Sequence, residues 1–130
     1  FFGELIAIGM KDRGCVGALV DGGVRDLAWL KELDFPVYAR YRTPIQSIGR
    51  WKVTGYGTTV SLPGATARQV EVKPGDFILA DEDGALVIPA RVVDEVLGQA
   101  DAMGAKEREI RSDLASGLSL TDALAKYGHV

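Results

Sequence analysis

The chain has 130 residues, of which 47% are hydrophobic and 25% charged, and its net charge is −3. That length suits one domain with a core of its own, and the composition is that of an ordinary soluble globular protein. The acidic balance argues against general nucleic-acid binding, because no basic excess is available to neutralise phosphates. The nearest thing to an aromatic–basic patch is Tyr38, Arg40, Tyr41 and Arg42.

The single cysteine, Cys15, cannot form an internal disulfide and fits a reducing, cytoplasmic setting. No apolar stretch approaches the ~20 residues that span a bilayer, and no signal peptide is visible, so no membrane partner is expected. The chain opens on Phe1-Phe2-Gly3 without a methionine, which predicts that residues upstream are missing from this sequence.

In chain order, Leu5, Ile6, Ile8 and Met10 among polar positions predict a short helix over 4–13 that stops at Gly14. Cys15 to Val20 is an uninterrupted apolar run, the pattern of a strand covered on both faces. Asp21-Gly22-Gly23 reads as a turn. A helix is expected from Asp26 to Leu33 with Leu27, Leu30 and Leu33 inward, then a strand from Pro36 to Arg40. This rhythm predicts a parallel βαβ unit.

Residues 43–67 are rich in Gly, Thr, Ser and Pro, with strand-like pieces at Arg50 to Val53 and Thr58 to Leu62. Gln69 to Val72 alternates polar and apolar, and Lys73-Pro74-Gly75-Asp76 turns the chain. Phe77 to Ala80 and Ala85 to Ile88 predict a hairpin around Asp81-Glu82-Asp83-Gly84. A long helix is expected from about Ala90 to about Ala115. One apolar stripe runs along it through Val93, Val96, Leu97, Ala100, Met103, Ile110 and Leu114, with Gly98 and Gly104 weakening it. Ser119 and Asp122 form an acidic variant of the capping box, opening a last helix with Leu120, Leu124 and Tyr127 inward. The layout is a mixed α/β domain with a C-terminal helical tail.

Chemistry concentrates at Arg25-Asp26, with twenty residues between Glu4 and Arg25. Arg25 offers a planar fork for a carboxylate. Asp26 offers a hard oxygen for magnesium or manganese, ions that take only one or two protein carboxylates and keep several waters. The plainer reading is a helix-starting aspartate beside a surface arginine. Gly3-Glu4-Leu5-Ile6 lies at a helix start, where free N–H groups favour an anion; the plainer reading of Glu4 is a favourable first-turn acid. Asp81, Asp83 and Gly84 lack the further ligands of a calcium loop. His129 has no second histidine or paired cysteine with which to hold zinc. The G-x-S-x-G, Walker A and G-x-G-x-x-G patterns are all absent, and the serines have no evident histidine base.

Together, Gly3-Glu4-Leu5, Arg13-Gly14, Val20-Asp21-Gly22, Arg25-Asp26, Phe35-Pro36-Val37, Pro74-Gly75-Asp76 and Ala80-Asp81-x-Asp83-Gly84 resemble one family. It contains 4-hydroxy-4-methyl-2-oxoglutarate aldolase and the RraA-like regulators of ribonuclease activity. The tail from Ser119 to Gly128 is similar to the aldolase branch. The resemblance implies a three-layer β/β/α swivelling-type fold and a single domain over 1–130. It implies a metal-dependent lyase that releases pyruvate from 4-hydroxy-2-oxo acids and also decarboxylates oxaloacetate.

Glu4, Arg25 and Asp26 would then be catalytic. Gly3, Glu4, Leu5, Ile6 and Arg25 would bind the substrate, a small 2-oxo acid, and Asp26 would hold Mg2+ or Mn2+. Characterised aldolases often carry aspartate where this chain has Glu4. Homotrimers or homohexamers are implied, with a neighbour's carboxylate, Glu107 or Glu109, as a candidate contributor. The alternatives are a non-catalytic regulator that binds a ribonuclease and, further off, a methyltransferase, for which no glycine-rich nucleotide loop is present.

Overall fold

The computed structural model describes residues 1–128, so His129 lies outside the described residues. The chain divides into two compact units, Phe1–Val87 and Ile88–Val130.

The first unit opens with helix α1, Glu4–Lys11, followed by strand β1, Ala18–Val24, helix α2, Leu27–Glu32, and strand β2, Val37–Arg42. Both helices end in the same way. After α1 the amide of Cys15 reaches the Met10 carbonyl and that of Gly14 reaches Lys11, with Gly14 at φ +86°. After α2 the amide of Phe35 reaches Leu30 and that of Asp34 reaches Lys31, with Asp34 left-handed at φ +50°. These paired bonds satisfy carbonyls that would otherwise be orphaned at each helix end, and they turn the chain sharply into the next strand.

Strands β1 and β2 pair in parallel, as the βαβ rhythm predicts, in a register that sets Ala18 against Val37 and Val24 against Arg42. Two expectations are corrected here. The strand starts at Ala18 rather than Cys15, and it is only half-buried over Ala18–Val20, not covered on both faces. Asp21-Gly22-Gly23 is not a turn but strand, and the register shifts between Val20 and Gly23. Val20 faces Ala39 and Gly23 faces Tyr41, so Asp21 and Gly22 together oppose Arg40 in a bulge. Arg40 closes it with a 3.2 Å ion pair to Asp21. Glycine is required at position 23 for space: a Cβ there would lie 2.6 Å from both Thr43 Cγ2 and Tyr41 Cε2.

The core of this unit is Phe2, Ala7, Val24, Leu30 and Phe35, with Ile6, Met10, Cys15 and Leu33 packed around it. The rings of Phe2 and Phe35 stack with centroids 6.3 Å apart. Of the leucines expected to face inward on α2, Leu30 is buried, Leu33 is half-buried and Leu27 is exposed. Phe2 also forms a parallel bridge with Val24, its amide on the Gly23 carbonyl and its carbonyl accepting from Arg25. The residues before α1 are thereby stitched to the end of β1.

The remaining strands form two further two-stranded sheets. β3, Val60–Leu62, runs antiparallel to β4, Val70–Val72. β5, Phe77–Asp81, and β6, Gly84–Ile88, make the expected hairpin, with Asp81 Oδ1 accepting from the Asp83 amide at 2.9 Å. Arg50 to Val53 forms no strand. The Tyr38 hydroxyl on β2 donates to the Ala80 carbonyl of β5 at 2.8 Å.

In the second unit a 3-10 turn, Ala90–Val92, leads into α3, Val93–Ala115, which runs unbroken through Gly98 and Gly104. Helix α4 spans Leu120–Tyr127, and Ser119 caps it by accepting from the Asp122 amide at 3.1 Å, as expected. The inward residues differ from expectation. On α4 Ala123 is buried, Tyr127 is half-buried, and Leu120 and Leu124 are exposed; on α3 Ile110 is buried while Leu97 and Met103 are exposed. Polar contacts join the two helices. Asp113 Oδ2 accepts from Lys126 Nζ at 2.6 Å and from the Tyr127 hydroxyl at 2.8 Å.

Those contacts hold the Asp113 carboxyl below its usual range, chiefly through the Lys126 hydrogen bond and then through Tyr127, while Lys126 is pushed up by the same partner. A carboxylate with a depressed value stabilises the fold above its unfolded value, near ~3.9, and loses that contribution as pH falls through the folded value. Below about pH 4, therefore, thermal unfolding of Asp113→Asn followed by circular dichroism should be less acid-sensitive than that of the unsubstituted chain. Parallel acid profiles for the two proteins would contradict the contact's role.

Candidate functional site

Parallel strands carry their sites beyond their carboxyl ends. In this chain β1 ends at Val24 and hands over to Arg25-Asp26, while β2 ends at Arg42 and hands over to Thr43-Pro44. These residues, with Leu27, line a cavity of about 500 Å³.

Asp26 sits at the start of α2 in a left-handed conformation, φ 61° and ψ 37°. For most L-residues that region costs roughly 1–2 kcal/mol, and the short polar side chain of aspartate is among the few that tolerate it. Asp26 does not cap its own helix. Its carboxylate turns instead to the start of α1, where Oδ2 accepts from the Glu4 amide at 3.2 Å. The same oxygen lies 3.2 Å from Arg25 Nε, with both side chains about one-third exposed (33% each). One carboxylate oxygen therefore ties together the N-terminus of α1 and the arginine that follows β1. Oδ1 and the two terminal guanidinium nitrogens of Arg25 stand outside these contacts.

Gly3 makes the approach possible. A Cβ at this position would lie 2.6 Å from Asp26 Oδ2 and 3.1 Å from both Cγ and Nε of Arg25. Its φ of −158° is ordinary extended backbone, so the requirement is steric.

Of the residues singled out from the sequence, Gly3, Glu4, Arg25 and Asp26 come together. Glu4 meets Asp26 through its peptide nitrogen rather than its carboxylate. Leu5 and Ile6 occupy the first turn of α1, with Leu5 exposed and Ile6 half-buried. Thr43 is not among the residues singled out from the sequence, and Arg42 figures there only in the aromatic–basic patch with Tyr38, Arg40 and Tyr41. The signal that could have found them is the strand register, which places the end of β2 beside the end of β1. Glu107 and Glu109 belong to the second unit, where Glu107 pairs with Arg111 at 2.6 Å.

The donor set can be tested against a divalent cation. No group of three or more His, Cys, Asp or Glu that could hold a metal occurs among the described residues. A chelating cage, as for zinc, is therefore not what these residues make. A single hard carboxylate, fixed through Oδ2 with Oδ1 to spare, fits magnesium or manganese, which bind through one or two carboxylates and keep their waters. No helix among the described residues is long and apolar enough to cross a membrane.

Known proteins give this geometry a context. An uncharacterised protein of Methanocaldococcus jannaschii is 34% identical over 124 residues, covering 95% of this chain and 56% of its own length. The 4-hydroxy-4-methyl-2-oxoglutarate aldolase of Thermus thermophilus is 38% identical over 78 residues, covering 60% of this chain and 44% of its own. RraAS2 of Streptomyces coelicolor, described as an unusual member of the RNase ES inhibitor RraA family, superposes with a TM-score of 0.69 at 28% identity, covering 86% of this chain and 55% of that one. The chain thus spans about half the length of the relatives it matches. A family model described as RraA-like, Aldolase/RraA, matches residues 1–87, the span of the first compact unit, and the chain belongs to that family.

Proposed function

We propose that this protein is a divalent-metal-dependent pyruvate aldolase, cleaving 4-hydroxy-2-oxo acids of the 4-hydroxy-4-methyl-2-oxoglutarate kind, with oxaloacetate decarboxylation at the same site. The observation that carries this reading is the Asp26 carboxylate locked between the Glu4 amide and Arg25 Nε at the mouth of a cavity. Relatives named as 4-hydroxy-4-methyl-2-oxoglutarate aldolases support it.

On this reading each residue has a task. Arg25 is anchored through Nε, so its terminal nitrogens are pre-oriented to grip the substrate carboxylate as a fork. Gly3 to Ile6 offer first-turn N–H groups and the positive end of the α1 dipole to the same anion. Asp26 would hold Mg2+ or Mn2+, which would supply a Lewis acid for the 2-oxo group. Breaking the C3–C4 bond leaves negative charge on the enolate of pyruvate, and Arg25 is positioned to stabilise it. Glu4 serves the proton transfer from the C4 hydroxyl. Losing carbon dioxide from oxaloacetate places charge on the same atoms, so the two reactions share one electron sink. No lysine is needed to form a Schiff base. The protein is read as acting on a small 2-oxo acid in the cytoplasm, as a homotrimer or homohexamer.

A second reading, a non-catalytic regulator that binds a ribonuclease, has the likeness to RraAS2 in its favour. Asp26, with its carboxylate held in place, favours the enzyme.

Pyruvate release from oxaloacetate with Mg2+ should fall by about a hundredfold or more in Asp26→Ala and on adding EDTA. Full activity in either case would exclude the metal-dependent reading. Gly3→Ala should lower kcat/KM for the same substrate at least about tenfold with the helical signal retained, because the methyl group displaces Asp26 and Arg25. Unchanged turnover would show that the close approach at Gly3 is dispensable.

A further inference from the structure

The cavity beside Asp26 has a second cation that the reading above does not use. Arg42 is the last residue of β2, lines the cavity together with Arg25 and Asp26, and pairs in register with Val24, the residue immediately before Arg25. Neighbouring strands lie ~4.8 Å apart, so the two arginines start from adjacent points on one edge of the sheet. Arg25 is partly neutralised by Asp26. Arg42 makes no ion pair among the described residues, although Arg40, two positions earlier on the strand, is paired with Asp21.

The segment that follows Arg42 is held in place. Thr43, at 9% exposure, donates its amide to the Val24 carbonyl at 2.9 Å, and its hydroxyl oxygen accepts from the Ile45 amide at 3.2 Å. Its methyl group packs where Gly23 leaves room. The backbone at Arg42 is thus fixed on both sides, by the ladder before it and by Thr43 after it, while the residue is exposed and lines the cavity. With one guanidinium committed to Asp26, Arg42 is the cavity-lining cation whose charge has no ion-pair partner among the described residues.

We infer that Arg42 is a specificity-determining residue that binds a second acidic group on the substrate, selecting dicarboxylic 4-hydroxy-2-oxo acids over monocarboxylic ones. The inference rests on the aldolase reading above. Arg25 takes the carboxylate next to the 2-oxo group, and Arg42 takes the carboxylate borne on C4, which leaves with the second product. A planar fork suits a carboxylate better than an ammonium does, so lysine at this position should restore part of the selectivity and glutamine none.

The test compares pyruvate release by the full chain with Mg2+ from two substrates, 4-hydroxy-4-methyl-2-oxoglutarate and 4-hydroxy-2-oxopentanoate, which lacks the C4 carboxylate. In Arg42→Gln the ratio of kcat/KM for the diacid over the monoacid should fall roughly tenfold or more, mainly through the KM of the diacid, and Arg42→Lys should lie between. A ratio within about twofold of the unsubstituted protein, or an equal loss on both substrates, overturns the role of Arg42 and leaves the aldolase reading standing. Release of pyruvate from neither substrate by the unsubstituted protein overturns that reading, and this inference falls with it.

Discussion

One carboxylate oxygen organises the site. Asp26 Oδ2 accepts from the first amide of α1 and lies against Arg25 Nε, so the helix start, the strand end and the arginine are fixed by a single group. None of these elements could hold the others alone. α1 and α2 have only eight and six residues, too short to be stable as isolated helices. Their positions come from the Phe2, Ala7, Val24, Leu30 and Phe35 core and from the Phe2–Val24 bridge. The core brings Gly3 and Asp26 together, and the absence of a side chain at Gly3 lets the contact close.

The same arrangement has an electrostatic consequence. Arg25 offsets much of the negative charge of Asp26, so a cation at this carboxylate meets a weak field from the protein. An anionic keto acid gripped by Arg25 would add oxygen ligands of its own and strengthen the site. Metal and substrate are thus expected to bind with positive coupling, each raising the affinity for the other by the same factor. The left-handed backbone of Asp26 belongs to this picture: the strain is carried at the residue whose carboxylate must face α1 rather than cap α2.

Much of this was legible in the sequence. The βαβ rhythm, the Gly14 stop, the hairpin around Asp81–Gly84 and the Ser119 cap all depend on local chemistry, and the structure contains each of them. The spacing from Glu4 to Arg25-Asp26 also pointed to residues that do meet. What failed was long-range. Asp21-Gly22-Gly23 looks like a turn because glycine pairs usually make one. Here the glycines accommodate a bulge opposite Arg40 and the close approach of Tyr41 and Thr43, neighbours that no local pattern reveals. The leucines expected inward on α4 are exposed: an amphipathic stripe gives a face but not the residue that is buried on it, which is Ala123. That Glu4 would contribute its amide depended on how α1 meets the end of β1, and that Arg42 would lie beside Arg25 without an ion pair among the described residues depended on strand register, rather than on residue type.

The central claim is that the Asp26 carboxylate anchors a divalent cation next to a bound keto acid. Titration of the full chain with Mn2+, followed by electron paramagnetic resonance with and without oxalate as a stand-in for the pyruvate enolate, tests it most directly. The account predicts one site per chain that oxalate tightens and that Asp26→Asn abolishes. Mn2+ binding of equal strength in Asp26→Asn, with the same response to oxalate, would contradict it.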